Sequence, residues 1–377
     1  MRPAVLTVVG ARPQFIKAAV VSAQLRDLGE SRPYDEVLVN TGQHYDHSMS
    51  GSFFEDLQIP EPNYNLGIGS GTAGYQIGAM VKAIFDVIAE VRPAGVLAYG
   101  DTHSTLSAAI AATHSDTPFI HVEAGERIYL RREVPEEVNR VIADHVAALC
   151  LTSTERARHY LLREGHKDAR LKFVGDPMFD LFLIGVRQVQ ANPAGVLERF
   201  GLSERDYHLA TIHRASNTSD KDVLLGLLNA LDGASKKVLL PVHPRVQKLL
   251  HEWNWRPAKN LILTEPLPYF EMTEALLGAH RVVTDSGGLT REAFFAGKPC
   301  ILPMDRTWWV EVMEAGWLTL CGTDATKLAY LVDSYEPSGP APQGLFRDGN
   351  AAAKIVNEVG EFLSRGEYDE LWGEINE

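Results

Sequence analysis

Short runs of Val, Ile and Leu alternate along the chain with longer stretches in which apolar residues recur at helical spacing. Parallel strands joined by helical crossovers require this alternation, because a strand covered on both faces is apolar throughout while its crossover helix buries one stripe. The pattern predicts strands near residues 4–9, 36–40, 95–98, 118–121, 148–151 and 171–174, and a second set near 207–212, 237–241, 260–263, 281–284, 299–302 and 317–321. Between the sets an amphipathic stretch, broken at Asn192-Pro193, reads as the crossing between domains. The expected fold class is α/β, with two doubly wound Rossmann-like domains. The first spans 1–175, the crossing 176–202 and the second 203–349, and a last helix within 350–377 packs back toward the first. Open α/β sheets bind ligands at the carboxyl ends of their strands, so the expected site is a central cleft between the domains.

The most informative of those strand ends is Asp285-Ser286-Gly287-Gly288, which follows Arg281-Val282-Val283-Thr284 and runs straight into the helical Leu289-Thr290-Arg291-Glu292-Ala293-Phe294-Phe295. The segment reads as a strand, a tight glycine turn and a helix with an open first turn. Free amides at a helix N-terminus, the positive end of its dipole and two residues without side chains suit phosphate oxygens, and two linked phosphates fit best. A Ser-capped turn that binds nothing is the alternative.

Other strand ends carry charge. Gly10-Ala11-Arg12-Pro13 lacks the Gly-x-Gly-x-x-Gly dinucleotide fingerprint, and Arg12 with Lys17 a turn later either faces an anionic substrate or belongs to an ordinary helix start. Asp101 and Glu123 end two further strands and Glu136 starts the helix that follows the second after a long polar loop; adjacent strand ends lie about 5–10 Å apart, so the three carboxylates are expected to converge for acid/base work. Asp101 alone would read as a helix cap. Glu137 and Arg140, three residues apart, read as a helix-surface ion pair. His213 ends a strand of the second domain and is either a phosphate donor or a structural hydrogen-bonder; His243 with Arg245 repeats the arrangement more weakly.

The formal net charge of -13 excludes a nucleic-acid-binding surface as the default, so an anionic ligand requires a locally positive pocket. Cys150, Cys300 and Cys321 have no paired spacing, which indicates neither disulfides nor a zinc site. The run from Pro3 to Val9 is a short strand rather than a signal peptide or membrane span, and a cytoplasmic location is expected, with no metal, no cofactor and no membrane partner.

Taken in order, Gly10-Ala11-Arg12-Pro13 with Lys17, Gly100-Asp101-Thr102, His121-Val122-Glu123-Ala124-Gly125, Pro135-Glu136-Glu137-Val138-Asn139-Arg140, His213-Arg214, Pro241-Val242-His243-Pro244 and Asp285-Ser286-Gly287-Gly288 with Glu292 resemble the non-hydrolysing UDP-N-acetylglucosamine 2-epimerases. The resemblance spans about Val8 to Gly322. It implies a glycosyltransferase B-type fold, a homodimer, and a UDP-sugar as substrate. It further implies catalytic roles for Asp101, Glu123 and Glu136, contacts to the diphosphate or the rest of the nucleotide from Arg12, His213, Ser286, Gly287 and Gly288, and a ribose contact from Glu292. The chain departs from the family's usual form at Met304-Asp305-Arg306-Thr307-Trp308-Trp309-Val310-Glu311, where Trp309 replaces an Arg. Trp-Val-Glu there resembles the branch acting on UDP-2,3-diacetamido-2,3-dideoxyglucuronic acid, and Arg131 with Arg132 could meet a sugar carboxylate.

A sugar C2 proton has no neighbouring carbonyl to make it acidic. Without a dinucleotide fingerprint, the route that fits is expulsion of the nucleoside diphosphate from C1 as the C2 proton leaves, followed by its return with protonation from the other face. His213 then joins the carboxylates as a catalytic candidate, bearing charge on the departing diphosphate. A hydrolysing 2-epimerase, a glycosyltransferase and a non-catalytic nucleotide-sugar binder are the competing readings, separable by their products.

Overall fold

Runs such as Val5-Leu6-Thr7-Val8-Val9 are buried at every position, as strands sandwiched between helices must be. In the computed structural model, which describes residues 2–43, 60–129 and 134–366, they assemble into two sheets whose paired strands are all parallel. The first contains β1 (Ala4–Val9), β2 (Asp35–Asn40), β3 (Tyr64–Asn65), β4 (Gly95–Tyr99), β5 (Phe119–Ala124), β6 (Leu149–Thr152) and β7 (Leu171–Phe173), ordered β3-β2-β1-β4-β5-β6-β7. The second contains β8 (Tyr207–Thr211), β9 (Lys237–Pro241), β10 (Leu261–Thr264), β11 (Arg281–Thr284), β12 (Cys300–Leu302) and β13 (Leu318–Leu320), ordered β10-β9-β8-β11-β12-β13.

Each expected strand is present within three residues at either end. β3 went unpredicted because Tyr64-Asn65 has no apolar run; it is a two-residue edge held to β2 by its backbone. β5 extends past the predicted end through Val122, Glu123 and Ala124, where the pairing with β6 shifts register.

The described residues fall into two compact units, one drawn from Met1–Leu181 and Gly344–Glu377, the other from Phe182–Gln343. The stretch expected as a crossing is thus divided after Leu181. The helix Ala351–Arg365 belongs to the first unit, where Asp180 accepts from the amides of Ala351 (3.0 Å) and Ala352 (2.7 Å) and anchors its start. Within each unit the strand order reverses once, between β1 and β4 and between β8 and β11, and side chains at those carboxyl ends are the ones an open α/β sheet presents to a ligand.

Candidate functional site

In the first unit the β1 turn is pinned to the end of β4. A Cβ on Gly10 would lie 2.1 Å from both Ser104 Oγ and Thr41 Oγ1, so no side chain fits. The buried Gln14 amide accepts from Gly10 N (2.9 Å) and Ala11 N (3.1 Å) and donates to Tyr99 O (2.8 Å) and Thr105 Oγ1 (2.9 Å). The sequence signals Gln14 only as an amide among Phe15, Ala18 and Ala19 on the buried side of the helix Arg12–Asp27. One turn on, Lys17 reaches across to Glu123, Nζ to Oε2 2.6 Å, while Arg12 at the helix start is exposed.

Glu123 occupies the left-handed region, φ 67°, at the register shift of β5, a conformation that costs about 1–3 kcal/mol for a residue with a side chain. Bulges of this kind re-aim side chains next to sites. Glu123 Oε1 and Lys17 Nζ flank Gly100, 3.4 and 3.5 Å from where its Cβ would stand, and Asp101 is the next residue. Its carboxylate is held by Arg140, and its carbonyl accepts from Asn139 Nδ2 (2.9 Å), both on the helix Pro135–Val146. Burial works against the charge of Arg140, yet Asp101 and then Glu123 hold its pKa above the usual guanidinium value. Asp101 and Glu123 are therefore brought together about Gly100, with Lys17 and Arg140 as their cations.

Glu136 is exposed in the first turn of the same helix. Glu137 is not paired with Arg140 on the surface: it is fully buried and accepts from the amides of Ile128 (3.3 Å) and Tyr129 (3.0 Å). Arg140 is committed instead to Asp101, a partner that helical spacing does not reveal. Arg131 and Arg132 lie outside the described residues.

Behind this pair lies a buried polar chain. His121 donates through Nε2 to Gly100 O (2.6 Å), its Nδ1 lies 2.6 Å from Asp144 Oδ1, and Asp144 Oδ2 takes Arg127 (2.7 Å) and Gly125 N (3.1 Å). Arg127 continues to both oxygens of Glu164, at 2.9 and 2.7 Å. Burial opposes the charge of Asp144, but His121 and Arg127 outweigh it and hold its carboxyl well below the usual range.

In the second unit Thr211 and Thr284 are register partners on β8 and β11, their hydroxyls 2.6 Å apart. That register carries the following Asp285 beside the turn after β8. Its fully buried carboxylate accepts from His213 N (3.0 Å), Arg214 N (2.9 Å) and Asn217 Nδ2 (2.9 Å), and His213 Nδ1 lies 2.8 Å away. Burial raises its pKa, but the hydrogen bonds led by His213 prevail and the net shift is downward. With Nδ1 turned to Asp285, His213 Nε2 is left for another partner on a half-exposed ring.

Ser286 caps the helix Gly287–Phe295 by accepting from Leu289 N (3.3 Å). Gly287 and Gly288 are its first two residues, not a left-handed turn: neither has positive φ. The nearest atom to a Cβ on Gly287 would be Arg214 NH2 at 4.0 Å, and on Gly288 Ser286 Oγ at 3.8 Å. Trp309 is buried behind them, its indole donating to Gly287 O (3.3 Å) beneath the Arg291 guanidinium at 4.4 Å. Glu292 is half-buried and coupled electrostatically to Tyr269, whose hydroxyl is pushed upward first by burial and then by that carboxylate. His243 caps the helix Pro244–Glu252 through Nδ1, 3.2 Å from Arg245 N, and stacks on His213 with ring centroids 6.0 Å apart. Burial, then the neighbouring His213, lowers its pKa.

The sequence profile of the family described as UDP-N-acetylglucosamine 2-epimerase matches residues 26–360. A UDP-2,3-diacetamido-2,3-dideoxy-D-glucuronate 2-epimerase of Pseudomonas aeruginosa is 41% identical over 84% of this chain and 88% of its own length. A UDP-N-acetylglucosamine 2-epimerase homolog of Methanococcus maripaludis is 39% identical over 93% and 98%. Among solved structures, the Methanocaldococcus jannaschii UDP-GlcNAc 2-epimerase in complex with UDP-GlcNAc and UDP superposes with a TM-score of 0.81 at 33% identity, covering 96% of this chain and all of that one. The calicheamicin glycosyltransferase CalG4, at 13% identity and a TM-score of 0.56 over 97% and 99%, shares the fold alone, which is of the glycosyltransferase B type.

Proposed function

The chain belongs to the UDP-N-acetylglucosamine 2-epimerase family, and from that premise we propose that it inverts C2 of a UDP-2-acetamido sugar by expelling UDP and adding it back. One observation carries the nucleotide half of this reading. Gly287 and Gly288 sit where neither backbone angle nor packing calls for glycine, at a position where alanine is the better helix former. A bare helix start that the fold does not need is explained by a ligand that does: phosphate oxygens approaching the free amides. Ser286, Arg12 and the Nε2 of His213 complete the diphosphate contacts in this reading, with Glu292 at the ribose and His243 beside His213.

At the sugar end, Asp101 and Glu123 serve as acid/base groups. A carboxylate takes the C2 proton, the C1–O bond breaks toward UDP, and the C1=C2 double bond of a glycal forms. Return of the diphosphate oxygen to C1 and of a proton to the opposite face of C2 gives the epimer. No electrons are gained or lost overall, so no redox cofactor is called for. Glu136, exposed in the first turn of the helix whose Arg140 holds Asp101, is the third carboxyl in this scheme. Lys17 and Arg140 hold Glu123 and Asp101 in place.

UDP-2,3-diacetamido-2,3-dideoxyglucuronate is the favoured substrate and UDP-GlcNAc the next. The 41% identity to the Pseudomonas aeruginosa enzyme and the Trp309-Val310-Glu311 segment support this choice. Arg131 and Arg132 would answer the uronate carboxylate, and Trp309 acts from behind, by fixing the glycine turn. We also infer a cytoplasmic homodimer serving polysaccharide biosynthesis, a reading supported by the motif resemblance and by three buried free thiols.

The test is incubation with each UDP-sugar in deuterated water. Solvent deuterium at C2 of product and of recovered substrate is expected, and Asp101→Asn and Glu123→Gln should slow its entry by about 100- to 10,000-fold while UDP still binds. Epimer formed without solvent isotope at C2 would sink the elimination route.

A further inference from the structure

The helix Glu155–Arg163 ends in a left-handed turn that places a histidine where no hydrogen bond awaits it. Gly165, φ 92°, donates to Leu162 O (3.1 Å) and His166 N to Leu161 O (3.0 Å), the paired bonds of a glycine-terminated helix. His166 is thereby 92% buried, being 8% exposed, and among the described residues neither ring nitrogen has a hydrogen-bond partner, an arrangement that asks for an explanation. Its ring meets that of His145, from the last turn of the helix Pro135–Val146, with centroids 4.9 Å apart. Ligand atoms of His145, Glu164 and His166 all lie within 4.8 Å of one another.

We propose that His145, Glu164 and His166 form a binding site for a divalent transition-metal ion of the zinc class. Two imidazoles and one carboxylate are a usual three-ligand set, completed by water, and imidazole selects such ions over magnesium or calcium. The supporting contacts are those that metal ligands have. His145 donates through Nδ1 to Val141 O (2.9 Å), which leaves the lone pair on Nε2 for a metal. Glu164 is fixed by both Arg127 hydrogen bonds, and each of its oxygens keeps a second lone pair. Metal–ligand bonds of about 2.0–2.2 Å require the three ligand atoms to draw closer than their present spacing of up to 4.8 Å. Through Arg127 and Asp144 the site joins the chain that ends at His121 and Gly100, so a bound ion would brace the backbone that carries Asp101.

Zinc titration of chelator-treated full-length protein by calorimetry tests this, with cobalt absorbance as a second readout. One equivalent per chain is expected, with the intense visible band of four-coordinate cobalt. His145→Ala and His166→Ala should each weaken binding by at least about tenfold, whereas His159→Ala, exposed on the neighbouring helix, should leave it unchanged. If His166→Ala does not fold, the exposed His145→Ala decides. Absence of binding at millimolar zinc, or binding undiminished in His145→Ala, overturns the proposal.

Discussion

Lys17 Nζ stands 2.6 Å from Glu123 Oε2, with both side chains more than nine-tenths buried, although 106 residues separate them in the chain. A buried pair of this kind is costly to break, since removal of one partner strands the other charge away from water. Lys17→Met is accordingly expected to destabilise the first unit by about 3–5 kcal/mol, measured by urea unfolding. A loss under about 1 kcal/mol would mean that water screens Glu123 as it screens a surface ion pair.

Gly287 and Gly288 separate stability from binding in the second unit. Gly288→Ala should leave the melting temperature unchanged or raise it, since alanine is favoured over glycine in a helix by up to about 1 kcal/mol. UDP affinity, read by calorimetry on the same preparation, should fall by at least about tenfold, or 1.4 kcal/mol. Undiminished UDP binding would remove the diphosphate from this helix start.

Asp285 gives acid stability a definite sign. Its native pKa lies below the unfolded aspartate value of about 3.9, so its contribution is complete above that value and is lost as pH falls through the lower native one. Asp144 is shifted in the same direction. Urea stability measured between about pH 3 and 7 should therefore decline toward the acid end, and Asp285→Asn should flatten part of that decline. A variant whose acid limb matches the parent would show that Asp285 is not the ionised acceptor of the His213 and Arg214 amides.

His213 is expected to act on the departing diphosphate rather than on the fold. His213→Ala leaves Asp285 its backbone donors and Asn217, so thermal stability should change little, while kcat should fall by about 100- to 1000-fold, as for loss of one preorganised donor. A fall in stability with kcat unchanged would assign the imidazole to structure.

The strands and their polar ends were legible because both are local properties. Apolar runs of strand length between helical stretches imply the two parallel sheets, and residues just past a strand must lie at its carboxyl edge. Asp101, Glu123, His213 and Ser286 could be found in this way. Gln14 could not, because an amide in the first turn of a helix has many uses, and its four partners at Gly10, Ala11, Tyr99 and Thr105 come from three separate segments. Glu137 shows the converse: its spacing from Arg140 is a valid local rule, overridden when β4 delivers Asp101 to that arginine and the segment after β5 brings the 128–129 amides to the glutamate.

Sequence alone thus determined every strand but the two-residue β3, the polar residues at or just past the strand ends, and that a helix starts bare at Gly287. Tertiary structure alone decided who pairs with whom: Lys17 with Glu123, Arg140 with Asp101, Asp285 with the His213 turn, and Trp309 beneath the glycines. Propensity and periodicity act over a few residues, whereas the partner of a buried charge is set by strand order and register, which bring together positions far apart in the chain.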